Sequence, residues 1–162
     1  MTTTPDILVI EDDPIMREAL SDWLRAAGYG VRSAADGDAG LAAVKLSVPA
    51  LVVTDIHMPG IGGAAIISEL KRDYAQIAVI AISGMFNSGH SLDAGGALAL
   101  GAARALAKPF KRADLLRAVA ELLGLPTPRE SRHQCLTRAC PRWHTDLVVR
   151  QAQGRSVGDS DG

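Results

Sequence analysis

The sequence predicts an α/β fold, a doubly wound five-stranded parallel sheet with helices on both faces. Two observations carry that expectation. Short apolar runs rich in β-branched residues alternate five times with longer segments of helical periodicity, the pattern left by successive βαβ units. The first, third and fourth runs are almost continuously apolar, as strands covered on both faces must be, so these three are expected at the middle of the sheet.

The first strand is read at residues 7–10. A helix opens after it at Pro14, since proline is tolerated at a first helical position, and Ile15, Ala19, Leu20, Trp23, Leu24 and Ala27 recur at helical spacing until Gly28. Trp23 and the leucines are expected in the core. A second strand falls at 31–34, and a helix over 38–46 is closed by Pro49. The third strand, 50–53, leads to a helix over 64–72, and the fourth, 77–82, to one near 93–100. Gly95 and Gly96 weaken that fourth helix, each costing about 1 kcal/mol relative to alanine. A short fifth strand at 105–107 precedes a helix over 113–123, where Leu115, Leu116, Val119, Leu122 and Leu123 form an apolar stripe. Beyond Gly124, prolines and arginines break any apolar period and the end is rich in Gly, Ser and Asp. The domain is therefore expected over 1–124, with 125–162 a tail, disordered or carrying one short helix near 145–152.

Composition narrows the function classes. With 48% hydrophobic residues, 162 residues suit one core plus an appendage. The net charge is −1, divided as −3 over residues 1–124 and +2 over 125–162, so no basic field is offered to nucleic acid and direct binding to it is not expected. Asp55, Asp73, Asp93 and Arg104 interrupt every apolar stretch before it could span a bilayer, and the run 7–10 is too short for a signal-peptide core. A cytoplasmic location without membrane contact is expected. The two cysteines, Cys135 and Cys140, lie in the tail, so no disulfide framework is expected to hold the fold. With His133 and His144 they lack the CxxC spacing of a zinc knuckle and read as incidental.

In an open parallel sheet, ligands bind beyond the carboxyl ends of the strands, where loops and helix N-termini converge. Glu11-Asp12-Asp13 follow the first run, Thr54-Asp55 the third, Ser83-Gly84 the fourth and Lys108-Pro109 the fifth. Carboxylates gathered there repel one another, and protonation, a buried cation or a divalent metal relieves them. Mg²⁺ fits an oxygen-only set of one or two carboxylates plus a phosphate. Lys108 and the Ser83 hydroxyl can neutralise and hydrogen-bond phosphoryl oxygens, so transfer of a phosphoryl group to an aspartate needs little else. For Asp13, capping of the helix that Pro14 opens is explanation enough.

The fragments VIEDDP, VVTDIHMPG, AISG and GAARALAKPF, in this order, resemble the receiver domain of two-component response regulators, over about three quarters of the chain. That resemblance implies a flavodoxin-like fold with strand order 2-1-3-4-5. It implies Asp55 as phosphoacceptor, Asp12 as direct metal ligand, Glu11 acting on the metal through water and the His57 backbone carbonyl as a further ligand. It also implies Ser83 as the group sensing the phosphoryl, Lys108 as the lysine bridging to it, and a Lys108–Pro109 bond that is often cis, which would aim the lysine into the site. The partners it implies are a histidine kinase or histidine-phosphotransfer protein as donor and a protein target on the face of the fourth helix, fifth strand and fifth helix. The domain would then be no enzyme in the ordinary sense, catalysing only its own phosphorylation and dephosphorylation.

Two departures stand out. Ala105 occupies the position, three before the lysine, where the family usually has Tyr or Phe. The segment between Ser83 and Gly101 is longer than usual and rich in Gly and Ser, and Phe86 within it is a candidate substitute for the missing aromatic. His57 and Met85 occupy positions where the family tunes phosphoaspartate hydrolysis. With no helix-turn-helix or enzymatic segment recognisable after residue 124, output through protein contacts is expected. A phosphorylation-independent interaction module is the alternative. A flavodoxin-like enzyme or nucleotide binder is disfavoured, because the acidic, glycine-free EDDP loop would repel a phosphate.

Overall fold

The computed structural model of the chain describes residues 4–84 and 94–125. Its elements alternate throughout: β1 (Asp6–Ile10), α1 (Pro14–Ala26), β2 (Gly30–Ala34), α2 (Gly37–Leu46), β3 (Leu51–Asp55), α3 (Gly63–Asp73), β4 (Ala78–Ser83), α4 (Ala94–Ala99), β5 (Arg104–Ala107) and α5 (Arg112–Leu123). The strands form one parallel sheet in the order β2-β1-β3-β4-β5. The three most apolar runs are its three inner strands, as their two-sided hydrophobicity requires.

Because side chains alternate along a strand, the sheet separates two cores. Leu8 and Ile10 of β1, Val52 of β3 and Val79 and Ala81 of β4 point to one face, where α2, α3 and α4 contribute Leu41, Val44, Ile66, Ile67, Leu70 and Ala97. Ile7, Val9, Leu51, Val53, Ile80 and Ile82 point to the other and meet Leu20 and Leu24 of α1 and Leu115, Leu116 and Val119 of α5. Each fully buried leucine or isoleucine contributes about 2 kcal/mol by leaving water.

The helix stripes need two corrections. Ile15 is 81% exposed and Ala27 also faces solvent, whereas Met16, absent from the expected stripe, packs against the α1–α5 core. Asp13 caps α1 by accepting from the N–H groups of Ile15 and Met16, which sets the phase of the first turn and turns residue 15 outward. Trp23 is only half-buried: it lies along the edge of the core with its ring edge-on to Phe110, centroids 6.5 Å apart. At the far end, Gly28 (φ 93°) terminates α1 where a side chain would be strained.

β3 and β4 run further than their apolar residues suggest. Thr54 and Asp55 belong to β3 and Ser83 is the last residue of β4, so polar groups expected just beyond the strands are fixed by the sheet itself. α4 is confined to six residues around Gly95 and Gly96, in keeping with the cost of two glycines. Met85, Phe86, the zinc-like cluster of 133–144 and the short helix near 145–152 lie outside the described residues.

Candidate functional site

The parallel register brings the carboxyl ends of β1, β3, β4 and β5 to one edge. Asp55 is level with Ile82 of β4, and Glu11 immediately follows Ile10, itself level with Thr54. The atoms that Glu11, Asp12 and Asp55 could offer to a metal all lie within 4.8 Å of one another. Lys108, delivered by β5 and followed by a cis peptide bond to Pro109, reaches into this group. Its Nζ is 2.5 Å from Asp55 Oδ2 and 3.1 Å from Glu11 Oε2.

The two oxygens of Asp55 are held differently. Oδ2 meets Lys108, while Oδ1 accepts the backbone N–H of His57 at 2.8 Å. Thr54 supports the strand end by donating to the Asp55 carbonyl at 3.0 Å. Below the site, α3 approaches so closely that a Cβ on Gly63 would collide with the Asp55 carbonyl oxygen and the Ile56 Cα. Glycine is the residue that fits there.

Glu11 is 1% exposed and Asp55 6%, whereas Asp12 is exposed. Burial raises the Glu11 carboxyl above its ordinary range and the nearby Asp55 charge adds to this, against the opposing pull of Lys108. Burial pulls Lys108 down, but its hydrogen bonds to Asp55 and Glu11 outweigh that and leave its pKa raised. Asp13 is held below the usual carboxylate range by the N–H groups of Met16 and Ile15, as its capping role requires.

The donor set suits a small hard cation. It consists of oxygen atoms, two of the three carboxylates are shielded from water, and among the described residues three carboxylates stand against one ammonium, a net charge of two that one divalent ion would balance. Two features of the site escaped the residue pattern. Arg17, one turn into α1, donates through Nη1 to the carbonyls of Glu11 (2.8 Å) and Asp12 (3.2 Å) and so fixes the main chain that carries both acids. A basic residue one turn after an acidic loop and a helix-opening proline was the available signal. The second is a contact of 3.0 Å between Ser83 Oγ and His57 Nδ1, which links residues 26 apart and had no signal in the sequence. Ala105 is level with Ala81 and packs against the α2–α3–α4 core, in the place of the larger aromatic.

Fold and pocket together define a doubly wound α/β domain with an acidic, lysine-bridged centre at the carboxyl edge of its sheet. The chain belongs to the response regulator receiver domain family, whose model matches residues 7–120. It is thereby a receiver domain of the two-component response-regulator type. It is similar to the transcriptional regulatory protein FixJ of Azorhizobium caulinodans, at 38% identity over 116 residues covering 72% of this chain and 54% of FixJ. It is also similar to the transcriptional regulatory protein BaeR of Escherichia coli, at 28% identity over 131 residues covering 81% of this chain and 53% of BaeR. The chain thus spans about half the length of these relatives. Among solved structures, the receiver domain of NtrX from Brucella abortus matches with a TM-score of 0.68 and 32% identity, over 75% of this chain and all of that one. A response regulator receiver domain protein from Clostridium thermocellum matches with a TM-score of 0.67 and 28% identity, over 82% and 98%. Among the described residues, no helix is long and apolar enough to cross a membrane.

Proposed function

We propose that this domain is the phosphoacceptor of a two-component phosphorelay, in which Asp55 takes a phosphoryl group from a histidine kinase or histidine-phosphotransfer protein. The observation that carries this reading is the Lys108 ammonium 2.5 Å from Asp55 Oδ2, inside a trio of carboxylates at the end of parallel strands. Glu11, Asp12, Asp55 and the backbone carbonyl of His57 would hold Mg²⁺, Glu11 through water. When bound, the ion neutralises charge on the phosphoryl oxygens.

An Asp55 carboxylate oxygen attacks phosphorus, forming the O–P bond as the N–P bond of the donor histidine breaks. The His57 N–H keeps the carboxylate from rotating, and Lys108 shifts from pairing with Asp55 to neutralising the incoming phosphoryl group. Ser83 donates its hydroxyl to a further phosphoryl oxygen. The domain thereby catalyses only its own phosphorylation and dephosphorylation.

Output would pass through the α4–β5–α5 face to a protein target, from a domain occupying residues 1–124 of a cytoplasmic protein. β5 is an edge strand, and a groove along β5 and α5 lined by Arg104, Leu106, Phe110, Arg117 and Glu121 offers charge of both signs around an apolar floor. FixJ and BaeR are named as transcriptional regulators. For this chain the acidic balance of 1–124 favours protein contacts over direct nucleic-acid contact. Ala105 favours the second reading, a receiver that binds its target without being phosphorylated.

Incubation with Mg²⁺ and a small phosphodonor, followed by intact-mass measurement, separates the two. A one-phosphoryl adduct on the wild type that disappears with EDTA is expected. No adduct under any Mg²⁺ concentration would defeat the proposal and leave the interaction module.

A further inference from the structure

The contact between Ser83 Oγ and His57 Nδ1 takes no part in the transfer described above. It joins the end of β4 to the loop after β3 at 3.0 Å. Ser83 is fully enclosed by protein, so its hydroxyl must find partners within the fold. A hydroxyl has one proton to donate. His57 is exposed, and its own N–H is engaged by Asp55 Oδ1. One residue thus touches the nucleophile through its main chain and the serine through its side chain.

We infer that the His57 imidazole is a positioning residue that holds the Ser83 hydroxyl in the unphosphorylated domain, so that a phosphoryl group on Asp55 acquires the Ser83 proton by displacing His57. This rests on the reading of Asp55 as phosphoacceptor. The exchange requires that Ser83 donate and Nδ1 accept at this contact, which is the Nε2–H tautomer. On phosphorylation the O–H···Nδ1 contact breaks and an O–H···O–P contact forms; the proton stays on Ser83 and no further covalent bond changes.

The consequence is an opposing weight on the switch. A hydrogen bond present in one state and absent from the other biases the equilibrium between them by its net worth. Losing the acceptor disfavours the resting state alone, and for an ordinary hydrogen bond this corresponds to about a fivefold shift toward the phosphorylated form. His57 therefore keeps the unphosphorylated state populated, in a domain that has Ala105 in place of the usual aromatic.

Two measurements test this. The first uses the full chain without any phosphodonor and follows imidazole nitrogen signals by NMR. His57 Nδ1 is expected to be an unprotonated acceptor whose signal moves in Ser83→Ala. A proton on Nδ1, or an unmoved signal, overturns the inference whatever the domain's phosphorylation chemistry.

The second is the affinity for beryllofluoride, a phosphoryl mimic, in the presence of Mg²⁺. His57→Phe is expected to bind it about fivefold more tightly than wild type, a single hydrogen bond's worth. His57→Asn, whose carboxamide oxygen can stand in for Nδ1, stays near wild type. In a Ser83→Ala background the gain from His57→Phe disappears. An unchanged affinity, or the same gain in both backgrounds, contradicts the exchange. If the wild type binds no beryllofluoride while the resting contact is present by NMR, the phosphoacceptor reading fails and the exchange fails with it.

Discussion

Lys108→Met removes the Lys108 ammonium from the pocket while keeping most of the side chain's bulk. Nζ sits 2.5 Å from Asp55 Oδ2 and 3.1 Å from Glu11 Oε2, so the substitution deprives two buried carboxylates of their shared partner. At an effective dielectric of 20, a charge pair at 4 Å is worth about 4 kcal/mol before desolvation is subtracted. Breaking a buried pair from one side typically costs about 3–5 kcal/mol. Here the cost falls at the low end, about 3 kcal/mol, because the Lys108 side chain is 22% exposed and Glu11 can take up a proton. That second route gives the loss a signature. Burial has already raised the Glu11 pKa, and losing Lys108 raises it further, so the penalty shrinks as the medium is made acid enough to protonate Glu11. Urea denaturation of wild type and Lys108→Met in EDTA, at neutral and at mildly acid pH, reads both quantities. Added Mg²⁺ should stabilise the variant more than the wild type, because the cation meets an uncompensated trio of carboxylates. A loss below about 1 kcal/mol, equal at the two pH values and indifferent to Mg²⁺, would refute the electrostatic account of the pocket.

Other consequences are as specific. Lys108 has a raised pKa, so its contribution to stability is full below its unfolded value of 10.5 and is lost as pH rises through the folded value; alkaline melts of the wild type should show this loss and those of Lys108→Met should not. Asp13 is the opposite case: its pKa is lowered, so the advantage of the wild type over Asp13→Ala is present above 3.8 and fades as pH falls through the folded value. On α1, Leu24→Ala should cost about 3 kcal/mol in denaturant melts, whereas the exposed Ile15→Ala should change stability by less than about 0.5 kcal/mol. Gly63→Ala should cost about 1–3 kcal/mol by pushing α3 off the Asp55 carbonyl, and should weaken Mg²⁺ binding through the same displacement.

The fold was legible because a parallel sheet leaves two strong marks, alternation of element types and apolar runs on the inner strands, and β1, β3 and β4 carry both. Boundaries were less so. Thr54, Asp55 and Ser83 are polar, yet hydrogen bonding to neighbouring strands keeps them in the sheet, and that pairing has no side-chain signature. Helical spacing gives a stripe but not its phase. On α1, the Asp13 cap sets where the first turn points, which put Met16 inward and Ile15 in solvent. In the pocket, the meeting of Glu11, Asp12, Asp55 and Lys108 follows from strand ends sharing an edge, so chemistry-bearing residues after apolar runs could be collected before any coordinates. What reaches the site from within a helix or through a loop side chain, Arg17 and the His57–Ser83 pair, depends on side-chain direction and stayed out of view.

The central claim is that the oxygen attacking phosphorus belongs to Asp55. An acyl phosphate is reduced by borohydride to an alcohol, which converts a phosphorylated aspartate into homoserine. After incubation with Mg²⁺ and a small phosphodonor, borohydride reduction and peptide mass mapping, homoserine is predicted at position 55 and nowhere else. Homoserine at position 12 or 13, the corresponding reduced residue at Glu11, or an unmodified Asp55 in a phosphorylated chain would contradict the account.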